Sequence, residues 1–463
     1  MRTSSRAGTT LLRNTIAKQI GWLTLLLMAT GCREQAPATF GVIFSGDTAG
    51  WITPCGCASN QSGGLARRGT LIDQNRNECP TLFVDVGGSS SGTSDYHQVK
   101  LESILRGMVL MDLRAHNVGK PETDLGPAVL RRLADATDTP WLSTNLVPRA
   151  GDWIPERLIV EQIGGCSVGI AGVMDPDMID SDAWTARDPV SAVIDAFDQS
   201  ETDVRIVLAY MDQQKLQSLA AALPEVHGVL GGPTGQSMSP KQIGDVTVMS
   251  ATNKGKYVGK LVFRGSVDSS NYRATDANVI EVSSDLKEDD RQLDNLKLYY
   301  ERLSTIDFSA DQTGLVSGLA SGRDGYEIAG SQRCAACHAA DDSLWHRSRH
   351  AHAWEVLVSK GAQFDPSCQQ CHTTGYGLEG GFRNVAASGQ QVHVGCENCH
   401  GPSRRHVDNP KIKTPWVAAR QCVRCHDREN SPHFQYDVYW AKIIHGVDPI
   451  RSGDDPNSSE AEL

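Results

Sequence analysis

The chain has 463 residues, 40% of them hydrophobic and 21% charged, enough for two or three domains with a true core. A net charge of −11 argues against a nucleic-acid partner. Thirteen cysteines are out of keeping with a reducing compartment unless chemistry employs them, and only the first segment is apolar enough to enter a membrane.

Arg2, Arg6, Arg13 and Lys18 precede an apolar run, Ile20 to Met28, too short to span a bilayer comfortably. The run ends in Leu27-Met-Ala-Thr-Gly-Cys32, which resembles a bacterial lipoprotein box. Residues 1–31 are therefore read as a signal peptide of lipoprotein type, Cys32 as the lipidated N-terminus and 32–38 as a tether. Ala29 stands where Leu is more usual, so cleavage by the ordinary signal peptidase is the alternative. Either route exports the chain to the periplasmic side of the cell envelope.

Over 39–265, apolar runs alternate with helical patterns. Phe40–Phe44, Thr81–Val86, Ser167–Val173, Val204–Tyr210, Val226–Leu230 and Val246–Met249 read as buried strands. Val99–Leu113, Val190–Asp198 and Gln213–Leu223 read as helices. Gly and Asp cluster at strand ends, the layout of an α/β domain with its site there.

The order of these strand-end motifs resembles the metallophosphoesterase domain of the 5′-nucleotidase family, whose fold is a layered α/β/β/α sandwich. Ser45-Gly-Asp47-Thr-Ala49 sits where that family has Asp-x-His, and Val84-Asp-Val-Gly-Gly88 matches its Asp-x-Gly-Asp turn. Asn117-Val-Gly-Lys120-Pro121-Glu-Thr-Asp matches its Gly-Asn-His-Glu turn, Tyr210 a ligand His, and Gly231-Gly-Pro233-Thr-Gly235 the closing Gly-His-x-His. Two-metal hydrolysis needs carboxylate and imidazole donors around two ions. Asp47 survives, but Ala49, Gly88, Lys120, Pro121, Tyr210, Pro233 and Gly235 fill the other positions, and Lys120 adds a positive charge there. That family's two-metal centre is therefore not expected, and the fold is expected to serve binding or docking. An active phosphohydrolase is the rival.

Cys55 and Cys57, in Trp51-Ile-Thr-Pro-Cys-Gly-Cys, could ligate a metal together with Asp47, act in redox chemistry, or join Cys79 and Cys166 in one of three disulfide pairings. Cys166 opens a strand and also reads as a core residue. Arg67 and Arg68 read as a helix start, either receiving an anion or lying on an exposed face.

Residues 266–325 read as a connection: a strand within Asn271–Val282, an amphipathic helix over Asp285–Leu303 and a Gly/Ser-rich boundary. A mainly α domain is expected at 326–450 and a disordered acidic tail at 451–463.

That last domain repeats one pattern four times: Cys334-Ala-Ala-Cys337-His338, Cys368-Gln-Gln-Cys371-His372, Cys396-Glu-Asn-Cys399-His400 and Cys422-Val-Arg-Cys425-His426. Two thiols three positions apart can add to the two vinyl groups of one haem, and the next His then lies under the iron. A zinc ribbon would also pair cysteines, but has no need of His after every pair. Four c-type haems are expected, cored by the porphyrins themselves, since the motifs begin only 34, 28 and 26 residues apart. All nine methionines lie at or before Met249, so low-potential irons without Met ligands are expected here. Seven further histidines are available: His346, His350, His352, His393, His406, His433 and His445.

Ser348-Arg-His350-Ala-His-Ala-Trp354, Gly395-Cys-Glu-Asn-Cys-His-Gly-Pro402, Arg405-His406-Val and Tyr439-Trp-Ala-Lys-Ile-Ile-His445 resemble the tetrahaem cytochrome c of the five-fifty-four type. The resemblance implies that His406 is the distal ligand of the haem on His338, His350 of the haem on His400, and His445 of the haem on His426. It leaves the haem on His372 five-coordinate. The expected function is electron transfer between redox partner proteins from a lipid-anchored position. The rival is an oxidoreductase acting on a small nitrogen or sulfur species at an open haem.

Overall fold

The computed structural model describes residues 38–54, 61–266, 271–315 and 326–446. The signal segment, Cys32, Cys55, Cys57 and the acidic tail lie outside them.

Two six-stranded sheets form the centre of the N-terminal domain. The first runs, in spatial order, Asn271–Glu281, Tyr257–Ser266, Ala38–Ser45, Thr81–Asp85, Leu113–Asn117 and Trp141–Leu142, the last four mutually parallel. The second runs Met238–Ile243, Val246–Ser250, Gly228–Gly232, Val204–Tyr210, Cys166–Met174 and Ile159–Ile163, with antiparallel strands only at its edges. Strands alternate their side chains between two faces. In the first strand Phe40, Val42 and Phe44 therefore enter the layer between the sheets, where they meet Ile170, Ile206, Leu208, Leu230 and Phe263. Ile43 points the other way, into the layer made with helices Leu65–Glu78, Asp95–Leu110 and Asp290–Ile306 through Leu65, Ile72, Ile104, Met108, Tyr299 and Leu303. Helices Pro189–Asp198 and Gln213–Ala222 cover the second sheet through Phe197 and Leu216. The result is the layered α/β/β/α sandwich. Burial of both strand faces explains why the runs read as continuously apolar.

Several expectations shift. The helix expected over Val99–Leu113 ends at Leu110, and Leu113–Asn117 is a strand. Asp112 turns the chain between them in a left-handed conformation, φ 58°, which Asp tolerates better than most residues. The strand expected at Val226–Leu230 forms at Gly228–Gly232. The connecting helix begins at Asp290 because Asp289 caps it, its carboxylate accepting from the Arg291 amide at 2.9 Å. Cys79 and Cys166 both carry free thiols, which excludes the three expected disulfide pairings; Cys166 lies in the core between the sheets.

The C-terminal segment is mainly α, built of short helices including Ser331–Ala335, Ala339–Trp345, Ala353–Ser359, Pro366–His372, Cys396–His400 and Tyr436–Trp440. Its buried apolar side chains are few, among them Ile328, Ala351, Ala353, Leu357, Ala362 and Phe382. So small a set contributes little hydrophobic stabilisation for more than a hundred residues, and a large apolar prosthetic group fits that deficit.

Candidate functional site

The residues of the C-terminal segment fit haem. An imidazole nitrogen lies about 2 Å from a metal it ligates, so two rings gripping one iron from opposite sides have centroids roughly 6 Å apart. Three pairs stand at that separation: His338 with His406 at 6.3 Å, His350 with His426 at 6.2 Å, and His400 with His445 at 5.9 Å. The first pairing is the expected one. The other two exchange partners, because His350 faces His426 rather than His400 and His445 faces His400 rather than His426.

Ligating imidazoles usually donate their second ring nitrogen to an oxygen, which fixes the tautomer and aims the first nitrogen at the metal. His372, His406 and His445 donate from Nδ1 to the carbonyls of Ala353 (2.7 Å), Ile412 (2.7 Å) and Ile443 (2.8 Å). His426 Nδ1 lies 2.9 Å from Ser431 Oγ. Three of the remaining histidines are engaged differently. His346 pairs with Asp342 at 3.5 Å, while His352 and His393 face the two oxygens of Glu355 at 3.5 and 3.6 Å.

The motifs also lie against one another. The thiols of Cys334 and Cys396 lie within interacting reach of each other, as do those of Cys371 and Cys425, and Cys399 sits beside Cys422 and Cys425. The contacts thus run from the first motif to the third, the fourth and the second.

Sequence reasoning passed over the variable positions inside the third motif. Glu397, 1% exposed, accepts from the backbone amides of Ala329 (2.9 Å), Gly330 (2.8 Å) and Ser403 (2.7 Å), so it ties the approach to the first motif onto the third. Asn398 accepts from the Gly395 amide at 3.0 Å and donates to the Thr373 carbonyl at 2.9 Å, just past His372. Gly401 ends this helix at φ 84° with the Trp416 ring packed where a Cβ would stand, 2.8 Å away. Glu and Asn between the two cysteines of the third motif were the signal available.

The strand ends of the N-terminal domain hold a different arrangement. Asp47, at φ 51°, accepts from Thr252 Oγ1 at 2.6 Å, and burial raises its pKa despite that bond. Tyr210, 5% exposed, lays its ring against Gly88 and Gly119, where an added Cβ would stand 2.9 and 2.6 Å from ring carbons. Burial, then the Glu122 and Asp47 charges, push its phenol far above the ordinary range, so it stays neutral. Lys120 turns to the surface, to Asp180 at 2.5 Å and Asp124 at 3.4 Å, and does not charge the site as expected.

The buried cation is Arg68 instead, wholly inaccessible and neither an anion site nor an exposed residue. Its Nη1 donates to Ser45 Oγ (3.3 Å) and Thr48 Oγ1 (3.2 Å), and Ser45 donates to Asp85 at 2.5 Å. His116 follows, 3.4 Å from Asp85 and 4.0 Å from Glu122. Burial opposes its imidazolium, but Asp85 and Glu122 outweigh burial and raise its pKa. Burial alone would raise Glu122; His116 and the Gly88 and Ser89 amides hold it below the ordinary value. Arg68 and His116 thus stand beside Asp85 and Glu122 at the strand ends, where burial, the largest cause, raises the Asp85 pKa. A two-metal centre does not fit: Tyr210 fills the space between the motifs, and among the described residues no group of three or more His, Cys, Asp and Glu is arranged to hold a metal ion.

The class defined is a layered sandwich resembling phosphoesterases in fold, joined to a segment of c-type haem motifs. Residues 333–401 match the family described as cytochrome c554 and c-prime, which implies covalently bound haem of c type. A cytochrome c-554 of Nitrosomonas europaea is 33% identical over 90 residues, 16% of this chain; the chain thus spans 38% of that relative. A 5′-nucleotidase precursor from Thermus thermophilus superimposes with a TM-score of 0.50 at 20% identity, covering 59% of this chain and 60% of that one. A calcineurin-like phosphoesterase from Bacillus subtilis gives 0.50 at 15% identity, covering 57% of this chain and 98% of that one. At such identities the likeness is one of fold.

With manganese or zinc supplied, the full chain is expected to leave AMP and nitrophenyl phosphate at the rate of a buffer blank. Turnover abolished by Asp47→Ala would contradict the geometry of Tyr210. At the third motif, Glu397→Ala strands three amides, at a cost of about 1–3 kcal/mol for each that stays buried. A lower thermal midpoint and poorer recovery of fully haem-loaded protein are expected, and an unchanged midpoint would show that Glu397 is replaceable.

Proposed function

We propose that the chain is an exported, lipid-anchored electron carrier with four covalent haems, whose N-terminal domain has become a docking module. The observation that carries this reading is the set of three imidazole pairs at iron-spanning separation, each joining a motif histidine to one of the three distal candidates. Haem supplies the one-electron chemistry when bound. His338, His400, His426 and His372 would hold the irons from the motif side, and His406, His445 and His350 would hold three of them from the other. Bis-imidazole ligation keeps potentials low and changes little between oxidation states, which suits transfer rather than catalysis.

The motif contacts would bring haems held at the first and third, third and fourth, and fourth and second motifs near one another, as transfer between them requires. His350, His406 and His445 each serve another iron, and the resemblance makes the iron on His372 the five-coordinate one. An accessible iron there would let that haem exchange electrons with a small nitrogen or sulfur species, the second reading that the site supports. Asp47 takes no part in either.

Mass spectrometry of denatured protein, matured in a host that attaches c-type haem, is expected to show four haem additions. Cys422→Ala with Cys425→Ala is expected to remove one. Apo protein holding two tight zinc ions would contradict the reading.

A further inference from the structure

The N-terminal domain meets the C-terminal segment around the second of the four motifs and, through Lys254 and Lys256 on Glu429, beside the fourth. Asp365 caps the Pro366–His372 helix, its Oδ1 accepting from the Ser367 amide at 2.9 Å and the Ser367 hydroxyl at 2.7 Å. The same carboxylate accepts from Tyr96 Oη at 2.8 Å and from Tyr299 Oη at 3.1 Å. Those tyrosines stand on the Asp95–Leu110 and Asp290–Ile306 helices that cover the first sheet. Lys100 Nζ bridges Tyr96 Oη and Ser367 Oγ, 3.2 Å from each. Asp365 is 4% exposed and both tyrosines 1%. A buried carboxylate is tolerated only when its lone pairs are satisfied, and here most of its donors come from the other domain or from Ser367. Burial and the Asp365 charge push both phenols well above the ordinary tyrosine range, so both hydroxyls remain donors.

The position of this anchor is telling. Asp365 precedes Cys368 by three residues, roughly one helical turn or about 5 Å of rise. The chain beyond the motif is tied to the same neighbour. Asp307 accepts from the Val385 (3.0 Å) and Ala386 (2.8 Å) amides, and the Ala310 amide donates to the Arg383 carbonyl at 2.8 Å. Both flanks of the second motif are therefore held from outside the haem segment. By contrast, the buried carboxylate of the third motif, Glu397, bonds Ala329, Gly330 and Ser403 within it.

We propose that the N-terminal domain is the positioning wall of the second haem: Tyr96 and Tyr299 fix Asp365, Asp365 fixes the helix, and the helix fixes His372. This rests on the reading of His372 as the proximal ligand of a covalent haem. Tyr96, Tyr299 and Asp365 are positioning residues, since they act on the iron through the helix. The Asp365 charge, one turn from the thioether, also favours the ferric state of this haem above the others.

The test uses the full haem-loaded chain, with haem number from mass, ligand symmetry from electron paramagnetic resonance and four midpoints from a redox titration. Asp365→Asn keeps a helix-capping side chain but removes the charge. It is expected to raise the midpoint of the second haem alone. Tyr96→Phe with Tyr299→Phe keeps the rings and removes the clamp. It is expected to retain four haems and change the resonance of one, leaving three as they were; the single Tyr96→Phe serves if the double variant folds poorly. Midpoints and resonances that do not move, or that all move together, would overturn the wall. If Cys368→Ala with Cys371→Ala has the wild-type haem mass, the haem assignment fails and this proposal with it. If the wild type shows four low-spin haems, the open-iron reading fails, and the wall is decided by whether one low-spin set moves alone.

Discussion

An iron can be gripped by two imidazoles only where the chain holds their rings about 6 Å apart on a common axis, and the C-terminal segment is built to that separation. Its helices are too short to be stable alone, and its apolar side chains too few to core it. What organises it is a set of local polar devices at the motifs: Nδ1 atoms anchored to carbonyls, Glu397 gathering three amides, and Asn398 joining the third motif to the end of the second. Each fixes a ring or a turn rather than filling volume. That is the economy expected of a segment whose interior is largely prosthetic group.

The strand ends of the N-terminal domain gather buried acidic groups beside one arginine and one histidine. Carboxylates left at strand ends would repel one another in a dry interior. Arg68 and His116 stand against Asp85 and Glu122, and the Tyr210 ring closes the remaining space. Breaking such a buried set by removing one member generally costs about 3–5 kcal/mol. The loop beside Asp47 has also acquired a task at the domain boundary: Lys254 and Lys256 reach Glu429, three residues past His426, at 3.4 and 2.9 Å.

Much of this was legible in the sequence because it depended on pattern. Strands buried on both faces announce themselves as apolar runs, and the Cys-x-x-Cys-His repeats carry their chemistry in five residues. Arg68 was not legible. Its burial depends on Ser45, Thr48 and Asp85 arriving from other strand ends, and nothing in Gly-Leu-Ala-Arg-Arg distinguishes it from an exposed helix start. The exchange of His350 and His445 between irons was hidden for a related reason. Spacing along the chain says that a histidine is available, while the partner is chosen by how short helices pack around the third and fourth motifs. The early end of the helix at Leu110 turned on one left-handed residue, Asp112, within an otherwise periodic stretch.

The account stands on three irons held between paired imidazoles and a fourth, on His372, open on one side. Electron paramagnetic resonance of the oxidised, haem-loaded chain measures this directly. Three low-spin bis-imidazole signals with one high-spin ferric signal, each integrating to one haem, is the expected result. Four low-spin signals with no high-spin iron would contradict the open site, and high-spin signals from more than one haem would contradict the imidazole pairs.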